Sequence, residues 1–164
     1  GISKSALYHH ISSKEEILNQ AVTHAQDGLD AVVDGVIGSD VSAGDKVRAL
    51  ITGAIAVLCD DKEAVTLLLR LRGNSEVEKR ALQRRREFTR RAMPLIDDAQ
   101  ASGEVRSDLD TGVLTRLVFG TVNSVVEWYE PGGRLEPEEI ARHAVALLFD
   151  GVGKAAGDVL GGGE

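Results

Sequence analysis

The sequence predicts an all-α fold, and three observations carry that prediction. Only three prolines occur in 164 residues. Apolar residues recur three and four positions apart through nearly every stretch long enough to bury a face, which is the helical period. The breaks between those stretches carry helix punctuation, with Ser, Asp or Glu-Pro at the starts and glycine at the stops. The apolar fraction of 43% is enough for a buried core.

Taken in order, Gly1-Ile2-Ser3 reads as a turn, with a short helix from about Lys4 to His10 and Ser3 as its N-cap. Ser13 opens the second helix, its hydroxyl reaching the Glu16 N–H while Glu16 reaches back, a capping box. The apolar stripe Leu18, Ala21, Val22, Ala25, Leu29, Val32, Val33 and Val36 carries this helix to a stop near Gly38. A third helix spans about Ala43 to Cys59 and turns Val47, Leu50, Ile51, Ala54 and Leu58 to one side. Asp60 with Glu63 reads as a capping signal for the next. The run Ala64-Val65-Thr66-Leu67-Leu68-Leu69 is apolar on nearly all sides, so a short buried helix is predicted there. Ser75 with Glu78 starts a long helix reaching about Ser102 and closed by Gly103, with a kink expected near Arg90 to Pro94. Asp108 and Asp110 precede a helix over about Thr111 to Tyr129, stopped by Pro131-Gly132-Gly133. Glu136-Pro137 starts the last, with proline at its first position, a Leu135–Ile140 staple across the start and an end near Val152. The Gly161-Gly162-Gly163-Glu164 tail is expected to be loose.

Composition narrows the function. The net charge of −7 argues against a protein that coats nucleic acid non-specifically, but leaves room for a local basic footprint. No apolar stretch approaches the ~20 residues that span a bilayer. The single cysteine, Cys59, excludes an internal disulfide and suits a cytoplasmic location. The histidines at 9, 10, 24 and 143 match no metal-ligand motif, and the glycines form no phosphate loop. No metal, cofactor or catalytic residue is therefore assigned, and an enzyme is not expected.

The segment Gly1-Ile2-Ser3-Lys4-Ser5-Ala6-Leu7-Tyr8-His9-His10-Ile11-Ser12-Ser13-Lys14-Glu15-Glu16 closely resembles the second half of the DNA-binding domain of TetR-family transcriptional regulators. There a Gly-apolar-Ser turn leads into a recognition helix ending Leu-Tyr-His-His-Phe, and Ser-Lys-Glu opens the following helix. Ile11 departs from the usual Phe but stays apolar. The stretch Gly103 to Asp110, the apolar helix after it, Trp128-Tyr129, the Pro-Gly-Gly turn and Leu135-Glu136-Pro137-Glu138-Glu139-Ile140 look like the C-terminal half of many TetR-type ligand-binding domains. Trp128-Tyr129-x-Pro131-Gly132-Gly133 is similar to regulators of lipid and sterol catabolism in actinobacteria. The resemblance implies a TetR-like helical bundle. Residues 1–18 would be a partial helix-turn-helix whose first helices precede this sequence, and residues 19–164 a ligand-binding and dimerisation domain.

The resemblance also implies roles. Lys4, Ser5, Tyr8, His9 and Lys14 would contact operator DNA, with Leu7 and Ile11 in the core of the head. Leu58, Leu68, Phe88, Met93, Phe119, Val122 and Trp128 would wall a ligand cavity, joined by Leu50, Ala54 and Leu71. Trp128 would close it, since a large aromatic with one donor can meet a polar group. Arg84 would serve an anionic ligand group. It belongs to a basic cluster of Arg70, Arg72, Lys79, Arg80, Arg84, Arg85, Arg86, Arg90 and Arg91, nine of the nineteen Lys and Arg residues. That cluster reads either as a solvated helix face with intrahelical pairs such as Glu87–Arg91, or as a site for an anionic ligand such as an acyl-CoA, because arginine grips phosphate bidentately. Val113, Leu117, Val125, Ile140, Ala144, Leu147 and Leu148 would form a homodimer interface, two helices per subunit making a four-helix bundle about a two-fold axis. Such a dimer reads a pseudo-palindromic operator. The expectation is a ligand-responsive repressor, released from double-stranded DNA by a small, largely apolar effector. The alternative is a protein-interaction module on the same scaffold that does not bind DNA.

Overall fold

The computed structural model describes residues 4–152, with side chains from Lys14 onward. Six helices follow in order: α1 (Lys4–Ile37), α2 (Ala43–Asp60), α3 (Lys62–Arg70), α4 (Glu76–Ala101), α5 (Thr111–Trp128) and α6 (Pro137–Asp150). No strand occurs among the described residues.

The first expectation to fail is the turn between two N-terminal helices. Residues 4–37 form one unbroken helix, so no second helix begins at Ser13, whose side chain lies outside the described residues. Ser12 and Ser13 each cost a helix only a few tenths of a kcal/mol relative to alanine. Continuing the helix meets every backbone N–H internally, so a turn here has to be imposed by tertiary contacts. From Leu18 onward the forecast stripe holds, with Val22, Ala25, Val33 and Val36 buried.

The starts of α2 to α5 carry side-chain caps, while α6 begins at Pro137 without one. Ser42 accepts from the Asp45 N–H at 3.2 Å, Ser75 from Glu78 at 3.3 Å and Asp110 from Val113 at 2.9 Å. The cap before α3 is Asp61, not Asp60. Its carboxylate accepts from the Ala64 N–H at 3.0 Å, while its own N–H closes α2 on the Val57 carbonyl at 3.2 Å. One residue thus ends α2 and begins α3. Glu78 reaches beyond its cap partner and accepts from the N–H groups of Arg72, Gly73 and Asn74, pinning the loop before α4. α4 runs through Pro94 without interruption. It stops where Gly103 takes φ +78°, a backbone state that glycine supplies at no steric cost. α6 stops at Asp150, before Gly151 at φ +77°.

α2 is the central helix and packs on α1, α4, α5 and α6. Its approach to α1 is close: a Cβ on Gly53 would stand 2.6 Å from Val32, and one on Gly28 would stand 3.2 Å from Val57. The main core takes Val22, Ile51, Ile55, Leu58, Leu68, Ile96, Val122 and Ile140. A smaller cluster of Val33, Val36, Leu50, Phe88, Ala92 and Leu95 joins α1, α2 and α4. Buried Gln26 of α1 donates to the Ala81 carbonyl of α4 at 2.7 Å. No buried side-chain N or O is left without a partner among the described residues.

Candidate effector cavity and oligomer face

α1, α2, α3, α4 and α5 line a cavity of about 320 Å³ that is partly open to solvent. α2 contributes Ala54 and Leu58, α3 Val65, Leu68 and Leu69, and α1 Leu29. α4 and α5 face each other across it through Phe88 and Phe119, whose ring centroids are 5.2 Å apart at 57°. The walls are apolar, as an oily ligand requires. Of the forecast lining residues, Leu58, Leu68, Phe88, Phe119, Val122 and Ala54 do line the cavity.

Met93, Trp128 and Arg84 do not. Met93 lies five residues after Phe88, about 140° further round α4, and is 36% exposed. Trp128 lies six residues after Val122, about 240° round α5, and is 52% exposed. It sits on the outer groove between α5 and α6. Leu50 belongs to the second core cluster and Leu71 packs on the main one.

Arg84 is committed elsewhere. It donates to Asp30 at 2.8 Å through Nε and to Asp27 at 2.6 Å through Nη2. Arg91 pairs with Asp30 and Asp34, and Arg90 pairs with Glu87. The anticipated Glu87–Arg91 pair is therefore replaced by Glu87–Arg90. Two members of the basic cluster on α4, Arg84 and Arg91, thus form a ladder with three aspartates of α1, an interhelical arrangement that residue spacing along α4 alone does not disclose.

The cations that face the cavity are Arg85 and Arg116. Arg85 follows Arg84 directly, about 100° round the helix. Its Nη1 donates to the Leu68 carbonyl at 3.2 Å. Burial, and then the neighbouring Arg86, push its pKa down. Arg116 stands at the exposed rim and, among the described residues, bonds only the Gly112 carbonyl of its own helix, at 3.3 Å. Neither pairs with a carboxylate among the described residues. Arg116 could have been found from sequence, being the one charged residue between Thr111 and Val126 in an apolar helix. Gly120, Asn123 and Thr89 also line the cavity and were not anticipated.

A second feature is the outer face of α5 and α6. Val113, Leu117, Trp128 and Leu147 are exposed on it. Val125, Ile140 and Ala144, assigned to the same face, are buried in the chain's own core, though they floor its groove. Leu148 packs instead beside Phe149, whose ring lies 3.7 Å from the Arg48 guanidinium. Of the residues assigned to DNA, Lys14 is exposed on α1. The side chains of Lys4, Ser5, Tyr8 and His9 lie outside the described residues, as does the 161–164 tail.

The helical body thus combines an apolar cavity, an arginine at its rim and an exposed apolar face, without a clustered metal site among the described residues. A family model for the tetracyclin repressor-like C-terminal domain matches residues 40–152. The chain belongs to the TetR family of transcriptional regulators. It is 25% identical to the HTH-type transcriptional repressor KstR2 of Mycolicibacterium smegmatis, over 96% of this chain and 78% of that protein. The crystal structure of SCO3833, a TetR-family member from Streptomyces coelicolor A3, is 40% identical and superposes with a TM-score of 0.78, covering 94% of this chain and 78% of that one. AibR, solved with isovaleryl coenzyme A and operator DNA, shares the fold at 24% identity and a TM-score of 0.72, covering 90% of this chain and 80% of that one. Among the described residues no helix is long and apolar enough to cross a membrane.

Proposed function

We propose that the protein is a cytoplasmic, dimeric repressor, without enzymatic activity, whose effector is an amphipathic anion. The carrying observation is the pairing of apolar walls with Arg85 and Arg116, two cavity cations that face no carboxylate among the described residues. An apolar effector body takes the cavity and its anionic group meets the arginines. Charge-assisted hydrogen bonds to arginine are the strong ones, and at half-buried Arg85 they also relieve the uncompensated charge. An acyl-CoA has this composition, and AibR binds one.

Residues 1–18 form the DNA-reading part, with Lys4, Ser5, Tyr8, His9 and Lys14 toward the operator, and residues 19–164 the body. Two copies meet through α5 and α6 and present their reading parts to a pseudo-palindromic site. Effector binding displaces α4, the α1–α4 ladder carries that displacement into α1, and the population shifts toward a head spacing that no longer fits the operator. Linkage requires that DNA weaken effector binding by the same factor.

The test is a titration of the protein, together with any residues that precede Gly1 in the gene product, onto its upstream DNA at several salt concentrations. It is run with and without acyl-CoA thioesters. Release by a thioester, lost in Arg116→Gln, is the expected result. Tight DNA binding that no thioester moves discards this effector class. Weak binding to every DNA, erased by salt, makes the protein-interaction module the better account.

A further inference from the structure

Gly120 lies in the middle of α5, where glycine is the least favourable interior residue after proline. The usual reasons for such a glycine are missing. Its backbone does not take a positive φ, and a Cβ built on it meets nothing within 4 Å. The contrast with other helix-interior glycines is direct. Gly28 and Gly53 are accounted for by Val57 and Val32 at 3.2 and 2.6 Å. Gly44 faces Glu104 at 2.7 Å. Gly35, also without close neighbours, sits in the last turn of α1, where a weak helix former costs little.

Gly120 is both exposed and a lining residue of the cavity, so it stands at the boundary between the interior and solvent. Arg116 lies one turn before it and Asn123 one turn after it, and both line the same cavity. The volume decides what can be inside. About 320 Å³ is at the small end of sites for drug-sized ligands. It accommodates an acyl or ring-sized apolar body and not a nucleotide as well. An effector with a large anionic head must therefore leave the cavity somewhere, and Gly120 leaves the cavity-lining stretch of α5 bare beside an exposed arginine.

We propose that Gly120 is the aperture of the cavity: its missing side chain lets the stem of a tail-in, head-out ligand pass over α5 beside Arg116, so that residue 120 determines whether effectors with bulky heads are admitted. This rests on the cavity being the effector site. Apolar bodies that fit wholly inside do not use the aperture, so the two ligand types separate the claim from a general loss of the pocket.

The experiment compares wild type with Gly120→Ala, Gly120→Leu and Gly120→Trp, using dodecanoyl-CoA as the large-headed probe and the dye anilinonaphthalene sulfonate as the compact anionic one. Sedimentation gives the dimer mass and circular dichroism the helix content. Gly120→Ala, with a better helix former and free space, raises the melting temperature by roughly 2–4 °C and keeps both probes. Dodecanoyl-CoA affinity falls in graded fashion through Leu to Trp, by about tenfold or more at Trp, while dye affinity changes by less than about threefold. Equal loss of both probes in the Leu and Trp variants overturns the proposal, because the side chain then simply fills the cavity. Unchanged thioester binding also overturns it. A fall in dimer mass with both probes retained reassigns Gly120 to close packing against a second copy. Wild-type protein that binds neither probe removes the cavity reading itself, a result distinct from all of these.

Discussion

Single residues set several of the tolerances of this molecule. Gly53 is bare because α1 crosses α2 there. Gly53→Ala puts a methyl group 2.6 Å from Val32, and either the side chain or the helix crossing has to shift. The expected cost is about 1–3 kcal/mol in a urea titration, despite the better helix propensity of alanine. Glu78 gives a pH-dependent term. Backbone N–H groups of Asn74, Arg72 and Gly73 bond its carboxylate and hold its pKa below the ordinary glutamate value of 4.5. A folded-state pKa lower than the unfolded one means a stabilisation that is complete above the ordinary glutamate range and is lost as pH falls through the depressed value. The melting-temperature gap between wild type and Glu78→Ala should accordingly be widest near neutrality and narrow steadily in acid. At this scale the sequence was legible where a residue had one available role. Ser75 and Asp110 could only cap, and Leu58 and Phe88 only face inward. It was illegible where two neighbours competed for one role. Arg84 and Arg85 are chemically the same, and which of them faces the cavity depends on a helix rotation that the aspartates of α1 help to fix.

At the scale of elements, the ladder between α1 and α4 is the feature with the clearest mechanical reading. Asp30 receives both Arg84 and Arg91, so it ties two points of α4 almost two turns apart to one point of α1. Asp30→Asn weakens both ties. The stability loss should be small, about 1 kcal/mol or less, because the partners are partly exposed and screened. Its larger effect belongs to coupling: the factor by which effector lowers operator affinity should shrink about fivefold, while each ligand still binds alone. A double-mutant cycle with Arg91→Gln separates this tie from the one to Arg84. Most of the elements were readable because they begin at a capping side chain or stop near a glycine. The misread element was the first. Leu7 and Ile11 are at helical spacing with Leu18, so the apolar pattern crosses Ser12-Ser13 without a break, and only a packing partner could decide for a turn.

For the whole molecule, the exposed face of α5 and α6 is the proposed assembly face. Leu117 is 57% exposed and Trp128 52%, on a face whose floor is already filled by Val125 and Ile140. Leu117→Glu would bury a carboxylate on association. Dimer affinity should fall by about a hundredfold or more in sedimentation, with dye binding in the cavity preserved. Operator binding should fall with it, since one copy reads only half a pseudo-palindrome. The assembly face was only partly legible, because α5 is apolar on both sides. Val113 and Val125 look alike in sequence, and only the position of α6 separates the outward residue from the inward one.

The double role of Asp61 has a consequence for how the cavity responds to its contents. Because one residue closes α2 and opens α3, those two helices make a stiff elbow, and Leu58, Val65 and Leu68 are borne on it as a fixed anvil. The facing side, α4 with α5, is tied to the elbow by longer connections. We propose that a bulkier guest makes room by displacing α4, the helix tied to α1 through Arg84 and Arg91. On this reading the cavity yields toward α4, and that direction leads toward the proposed reading end of the chain.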